Sequence, residues 1–421
     1  MRRLLTGVLV VLTAVALHPG PALAAPAAVT LVPYPIDSSN QAAWWTPVET
    51  YVGAQQYTYF AFNEPGTTAG THRVAIGRRD GSGSWTRLPL MNGSTRAEYA
   101  DDIGHNQPSM ARDGSGRFHV FASMHNDTWR YFRSDSPGGV PQNRSGEMPD
   151  QGIGVTYPVL TSAPNGDVYL FARLDGSSSG GRTGRLYRWN DAASTWSRVA
   201  VVAASANRAV YPDDLRFDSA GDLHLLWEWS LYPSAAFRHQ LSYLKYRPGS
   251  GTFVDRTGAT RTVPVSTSTA DVVQPVEAGE VYEGNESTGP AVQSAKLTLD
   301  GTSPKITYRY RSLASGPVFT VRYAYVGGSG AWTRQTVWAA EQTRAALGIT
   351  WHPTEGKRIY FARTAGADRV LVATEDGGTW TTAPVAPGLP IDRLAVEPNA
   401  AGTDVLYLAD TTNGRLYHGR D

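Results

Sequence analysis

Apolar residues in this chain gather in short runs rich in β-branched and aromatic side chains, such as Val168-Tyr169-Leu170-Phe171-Ala172, Leu223-His224-Leu225-Leu226-Trp227 and Val405-Leu406-Tyr407-Leu408. Runs of this kind, bounded by turn residues, read as strands. Beyond the extreme N-terminus no stretch sustains a helical period. Between the runs lie Asp113-Gly114-Ser115-Gly116, Pro164-Asn165-Gly166-Asp167, Ser219-Ala220-Gly221-Asp222, Asp300-Gly301 and Pro353-Thr354-Glu355-Gly356. The pattern returns at roughly fifty residues, the interval expected of propeller blades. Seven such units can be counted, and the chain is read as an all-β, seven-bladed β-propeller. The last unit, Val405 to His418, is short of an outer strand. Ala28-Val29-Thr30-Leu31-Val32 is predicted to supply it, closing the ring with an N-terminal strand so that no sheet edge stays open. Degenerate Asp-box endings at Trp85, Trp196 and Trp380 mark blades, and their tryptophans are assigned to packing.

Composition narrows the setting. Met1-Arg2-Arg3, the apolar run from Leu4 to Leu17 and Pro21-Ala22-Leu23-Ala24-Ala25 have the three regions of a secretory leader. Residues 1–24 are therefore read as a signal peptide and 25–421 as a single catalytic domain, exported, monomeric and not membrane-embedded. The chain has no Cys, which excludes thiol chemistry and Cys-ligated metals. With 38 Lys and Arg against 37 Asp and Glu and no basic block, nucleic acid is not an expected partner.

Counting across the turns places chemistry on one rim. If the chain reverses near Ser115, His105 and His125 meet at the open end of one hairpin, far from its turn. In the next unit, turning near Asn165-Gly166, Tyr157 falls about opposite Arg173 at the same end. In the unit after that, Arg208 and Tyr211 enter at this end with Trp229 roughly opposite. Asn106, Arg208, Tyr211 and Trp229 are expected to contact substrate. His119 is assigned to the core, and Asp101-Asp102 and Asp213-Asp214 to turns and caps. His, Tyr and Arg without a paired carboxylate suggest proton abstraction beside an anionic group, with Arg masking the anion. A sugar uronate fits, because its C5 proton becomes acidic once the carboxylate charge is masked, and abstraction then expels the oxygen on C4.

Gly104-His105-Asn106-x-Pro108, Phe118-His119-Val120-Phe121 ending in His125, and Thr156-Tyr157-Pro158 with Leu170-Phe171-x-Arg173 resemble the secreted seven-bladed propeller polysaccharide lyases, which include ulvan lyases and rhamnosyl-glucuronate lyases acting on plant gums. The resemblance implies β-elimination on an anionic, glucuronate-containing polysaccharide. Arg173 would be the carboxylate neutraliser, Tyr157 and His105 the proton-handling pair, and His125 a second catalytic or positioning imidazole. It also implies no cofactor for the chemistry and leaves room for a structural calcium ion, although no acidic loop with calcium spacing is present. L-rhamnosyl-α-1,4-D-glucuronate of gum type is preferred to ulvan. Two other readings stay open. One is an Asp-box glycoside hydrolase of sialidase type, drawing on Tyr282-Glu283. The other is a non-catalytic carbohydrate-binding propeller using Trp44-Trp45, Trp227 and Trp229.

Overall fold

A computed structural model describes residues 28–38, 48–52, 55–102, 105–106, 108–175, 180–233, 238–278, 291–314, 316, 318–399 and 402–421. The expected leader, Trp44-Trp45 and Tyr282-Glu283 lie outside these residues. Among them no helix is long and apolar enough to cross a membrane.

The strands form seven antiparallel-based sheets arranged as a β-propeller. Blade 1 is built on Gln55–Pro65 and Thr71–Asp80, and blade 2 on Ser109–Arg112 and Phe118–Phe121. Blade 3 has Val155–Ser162 and Val168–Leu174, and blade 4 Arg208–Phe217 and Leu223–Leu231. Blades 5, 6 and 7 begin at Ala291–Asp300, Thr343–His352 and Arg393–Pro398. Ala28–Leu31 pairs antiparallel with Arg415–Arg420, Ala28 facing Arg420 and Leu31 facing Tyr417. The N-terminal strand thus completes blade 7 as its outer edge.

In blades 2 and 3 the second strand is buried on both faces, which explains its continuous apolar run: Val168–Leu174 and Phe118–Phe121 are buried throughout. Two histidines buried inside the blades are each paired with an aspartate and a tyrosine. In blade 2, His119 Nε2 lies 3.1 Å from Asp113 and its Nδ1 2.8 Å from the Tyr131 hydroxyl. Blade 4 repeats the device with His224, Asp218 and Tyr243 at 3.0 and 2.7 Å. Burial lowers both imidazoles below their ordinary 6.5, more than the aspartates raise them. Each neutral ring therefore donates from Nε2 to the turn aspartate and accepts from tyrosine at Nδ1. His119 is a core residue, and the Asp-Gly turns are tied to the strands that follow them.

Candidate active site

Blades 2 to 4 present their strand entrances at one rim, and local irregularities aim the side chains there. Phe121 pairs with Ser109, as the hairpin count requires. His125, however, has left that sheet: His125–Asp127 adds to the inner edge of blade 3, with His125 opposite Thr156. Asn126 makes the crossover possible with a left-handed φ of 58°. Its backbone N–H donates to Thr156 Oγ1 at 2.9 Å, and that hydroxyl donates to Asn126 Oδ1 at 3.2 Å. The two imidazoles do meet, stacked with centroids 3.6 Å apart and planes inclined by 6°.

One carboxylate holds both rings. Asp102 accepts from His105 Nδ1 at 2.9 Å through Oδ1 and from His125 Nδ1 through Oδ2. Sequence reasoning assigned Asp102 to a cap, and the correction follows from its position three residues before His105, which lets one short side chain span two stacked rings. Burial is the largest influence on His105 and lowers it; the Asp102 hydrogen bond works in the other direction, and the net shift is downward. Burial would raise Asp102, but its bonds to both histidines hold it below the usual carboxylate range. His105 is thus neutral near pH 7, its Nδ1–H committed to Asp102 and its Nε2 lone pair left for other work.

Tyr157 stands 5.8 Å from the His105 ring by centroids. It is the extra residue of a β-bulge, between Thr156 opposite Arg173 and Val159 opposite Phe171, and its φ is +54°. The left-handed backbone is costly for an aromatic residue and is the sort of strain that functional sites hold. Hence Arg173 faces Thr156 in register, one position off the expected pairing. The Arg173 guanidinium nonetheless lies over both phenols, 4.6 Å from the Tyr157 ring centre and 4.8 Å from that of Tyr211. Arg238, which the sequence reading missed, covers Tyr211 at 4.3 Å.

The two phenols are electrostatically different. Burial raises Tyr157, and Arg238 and Arg173 offset this only in part. Burial also pushes Tyr211 up, but the charges of Arg238 and Arg173 and a hydrogen bond from Arg173 outweigh it, leaving Tyr211 below its ordinary 10.0. Both tyrosines line a small pocket of about 50 Å3, with Asp213, Glu228, Arg238 and Gln293 among its other walls. Asp213 and Glu228 are buried and hydrogen-bonded to each other. Burial, then their mutual repulsion, lifts Asp213 well above its normal range, and burial raises Glu228 to about 7. Asp213 was assigned to a turn, and this too is corrected: it sits at the bulge between Pro212 and Asp214 and lines the pocket. Glu228 had a readable signal, being the one acid in the mostly apolar run Leu223–Leu231.

The remaining sequence-predicted contacts divide. Tyr211 is half-buried in the site. Asn106 is 1% exposed, its carbonyl accepting from Asn63 Nδ2 at 3.1 Å while its own Nδ2 is buried without a partner. Arg208 stays at the entrance of blade 4, donating to the Asn207 carbonyl at 3.0 Å, and is not among the pocket-lining residues. Trp229 is not on the rim. It is fully buried, with Nε1 donating to Ser242 Oγ at 3.0 Å, because strand alternation turns Trp227 and Trp229 into the blade and Glu228 to the opposite face.

Among the described residues, Asp102, His105 and His125 also form a group able to hold a metal ion, their ligand atoms all within 4.8 Å of one another. Two imidazoles and a carboxylate suit zinc. Both Nδ1 atoms already share the carboxylate, so an ion would replace those hydrogen bonds.

Comparison with known proteins agrees with the fold. No curated protein sequence matches the chain. A solved polysaccharide lyase described as PL25 ulvan lyase is similar at 16% identity and TM-score 0.66, covering 92% of this chain and 95% of that one. The same type of enzyme bound to -[GlcA(1-4)Rha3S]- gives 15% and 0.67 with the same coverage. Polysaccharide lyase Uly1 gives 14% and 0.57 over 93% and 90%. At these identities the likeness concerns the propeller itself. Residues 55–340, more than half of the chain, match the model described as BNR repeat-containing family member, and the protein belongs to that BNR repeat-containing family.

Proposed function

We propose that this protein is a secreted polysaccharide lyase that cleaves the bond to O4 of a glucuronate residue by β-elimination. The observation that carries the reading is the Asp102–His105–His125 stack standing beside Tyr157 and Arg173 at one rim. The substrate carboxylate pairs with Arg173, which masks its charge and makes the C5 proton removable. His105 Nε2 takes that proton, with Asp102 holding the tautomer and stabilising the imidazolium. The C4–C5 double bond forms as the C4–O4 bond breaks, and Tyr157, kept protonated by burial, gives its proton to the departing oxygen. Tyr211, lowered by Arg238 and Arg173, binds beside the carboxylate as a hydrogen-bond partner.

The similarity in fold to an ulvan lyase holding a glucuronate–rhamnose oligosaccharide supports a uronate polymer as substrate. The sequence resemblance favours L-rhamnosyl-α-1,4-D-glucuronate of gum type, with ulvan second. A glycosidase of the two-carboxylate kind needs carboxyls about 5 Å or more apart, whereas Asp213 and Glu228 are bonded to each other; the sialidase type, which uses a tyrosine nucleophile, is separated from the lyase reading by its product. A lectin platform built on Trp227 and Trp229 does not fit their burial. The test is to incubate the protein with gum-type and ulvan-type polysaccharides and follow ultraviolet absorbance. Unsaturated uronate raises the signal; its absence on both polymers, with the protein folded, defeats the reading.

A further inference from the structure

The pocket beyond the two tyrosines contains more polar machinery than elimination uses. Glu228 is 2% exposed, and its Oε1 is buried with no hydrogen-bond partner. The side-chain oxygen of Gln293, on the neighbouring blade, is likewise buried and unpartnered. Both residues line the same cavity. A buried acceptor without a donor is costly, so two of them opening on one space point to a ligand that brings donors. Asp213 is already hydrogen-bonded to Glu228, and Oε1 remains an unpartnered acceptor on a side chain that lines the cavity. A metal ion is a poor occupant, because Arg238 Nε lies 3.7 Å from Glu228 and Lys296 Nζ donates to the Asp213 carbonyl at 3.1 Å. A sulfate ester or second carboxylate would meet Arg238 on the cavity wall but, carrying acceptors alone near neutral pH, would leave both buried oxygens unpartnered. A sugar hydroxyl supplies the missing donor, and the rings of Tyr157 and Tyr211 give such a sugar an apolar wall.

We infer that this pocket is the subsite for a neutral, unsulfated sugar ring adjoining the uronate, with Glu228 and Gln293 as the acceptors that select free hydroxyls. The inference rests on the lyase reading for its uronate neighbour but not for the binding itself. It implies that O-sulfation of the neighbouring sugar weakens the substrate, in contrast to the sulfated oligosaccharide held by the similar ulvan lyase.

Methyl α-L-rhamnoside is the probe, and Glu228→Leu and Gln293→Leu are the variants, each checked for an unchanged thermal transition. Saturation-transfer NMR should show the wild type binding the probe and each folded variant binding at least tenfold more weakly. KM on an unsulfated glucuronate polymer should rise similarly. Gln293→Leu keeps the test decisive if Glu228→Leu does not fold. Unchanged affinity and KM in the folded variants overturn the subsite even if unsaturated product forms. Probe binding lost in the variants, with no unsaturated product from the wild type, supports the subsite and defeats the lyase reading instead.

Discussion

Replacing Asp102 by Asn probes the centre of the site while changing almost no volume. The carboxylate accepts from two imidazoles, at 2.9 Å from His105 and at short range from His125. Charge-assisted hydrogen bonds contribute about 1.5–3 kcal/mol each. The Asp102 side chain is 42% exposed, so solvent screening places each bond near about 1.5 kcal/mol. Asn keeps one acceptor oxygen and turns an N–H2 donor toward the other ring, which favours the wrong tautomer there. One bond lost corresponds to about a tenfold fall in rate and both to about a hundredfold. Initial rates of unsaturated-uronate formation between about pH 5 and 9 should therefore show kcat/KM falling ten- to hundredfold. The acid limb should also move to lower pH, because Asp102 raises His105 against its burial and that support is removed. A variant with kcat/KM within about threefold of wild type and an unmoved acid limb would refute the shared-carboxylate argument.

Other expectations follow from the same geometry. Arg173→Ala and Tyr157→Phe should each abolish turnover with the thermal transition nearly unchanged; near-normal rates in either would remove that residue from the chemistry. Trp229→Ala should cost about 3–5 kcal/mol in denaturant unfolding through the cavity it leaves, because the residue is core; a stable variant with raised KM would return it to the rim. His119 and His224 have folded-state values below 6.5, so the unfolded chain takes up protons first as pH falls. Stability should be complete above about pH 6.5 and decline below it, a slope that His224→Gln should reduce and that calorimetry across pH would reveal as absent if the rings were charged in the fold. A chelator should leave kcat intact while added zinc inhibits by displacing the Asp102 bonds; loss of activity on chelation would instead make Asp102, His105 and His125 metal ligands.

The propeller was legible because its strands repeat a strong local signal. Apolar runs and Asp-Gly turns set each hairpin, and the short last unit called for the strand at Ala28. The rim was legible in part, since counting across regular turns brought His105 to His125 and Tyr157 near Arg173. It failed where the backbone departs from regular pairing. The bulge at Tyr157 shifts Arg173 by one position, and the bulge after Pro212 brings Asp213 to the pocket. Trp229 was misplaced because an end-of-strand position does not say which face the side chain takes; alternation gives that face to Glu228. Asp102 was missed because its role needs both histidines already stacked, and His125 reaches that stack only by leaving its own hairpin for the next blade.

The most direct test is the product formed from a purified glucuronate-containing polysaccharide. Elimination at Arg173, His105 and Tyr157 predicts a new chain end bearing a C4–C5 unsaturated uronate, seen as a rising ultraviolet signal and as one water fewer in the product mass than hydrolysis would give. A saturated end with water added, or an intact polymer, would contradict it.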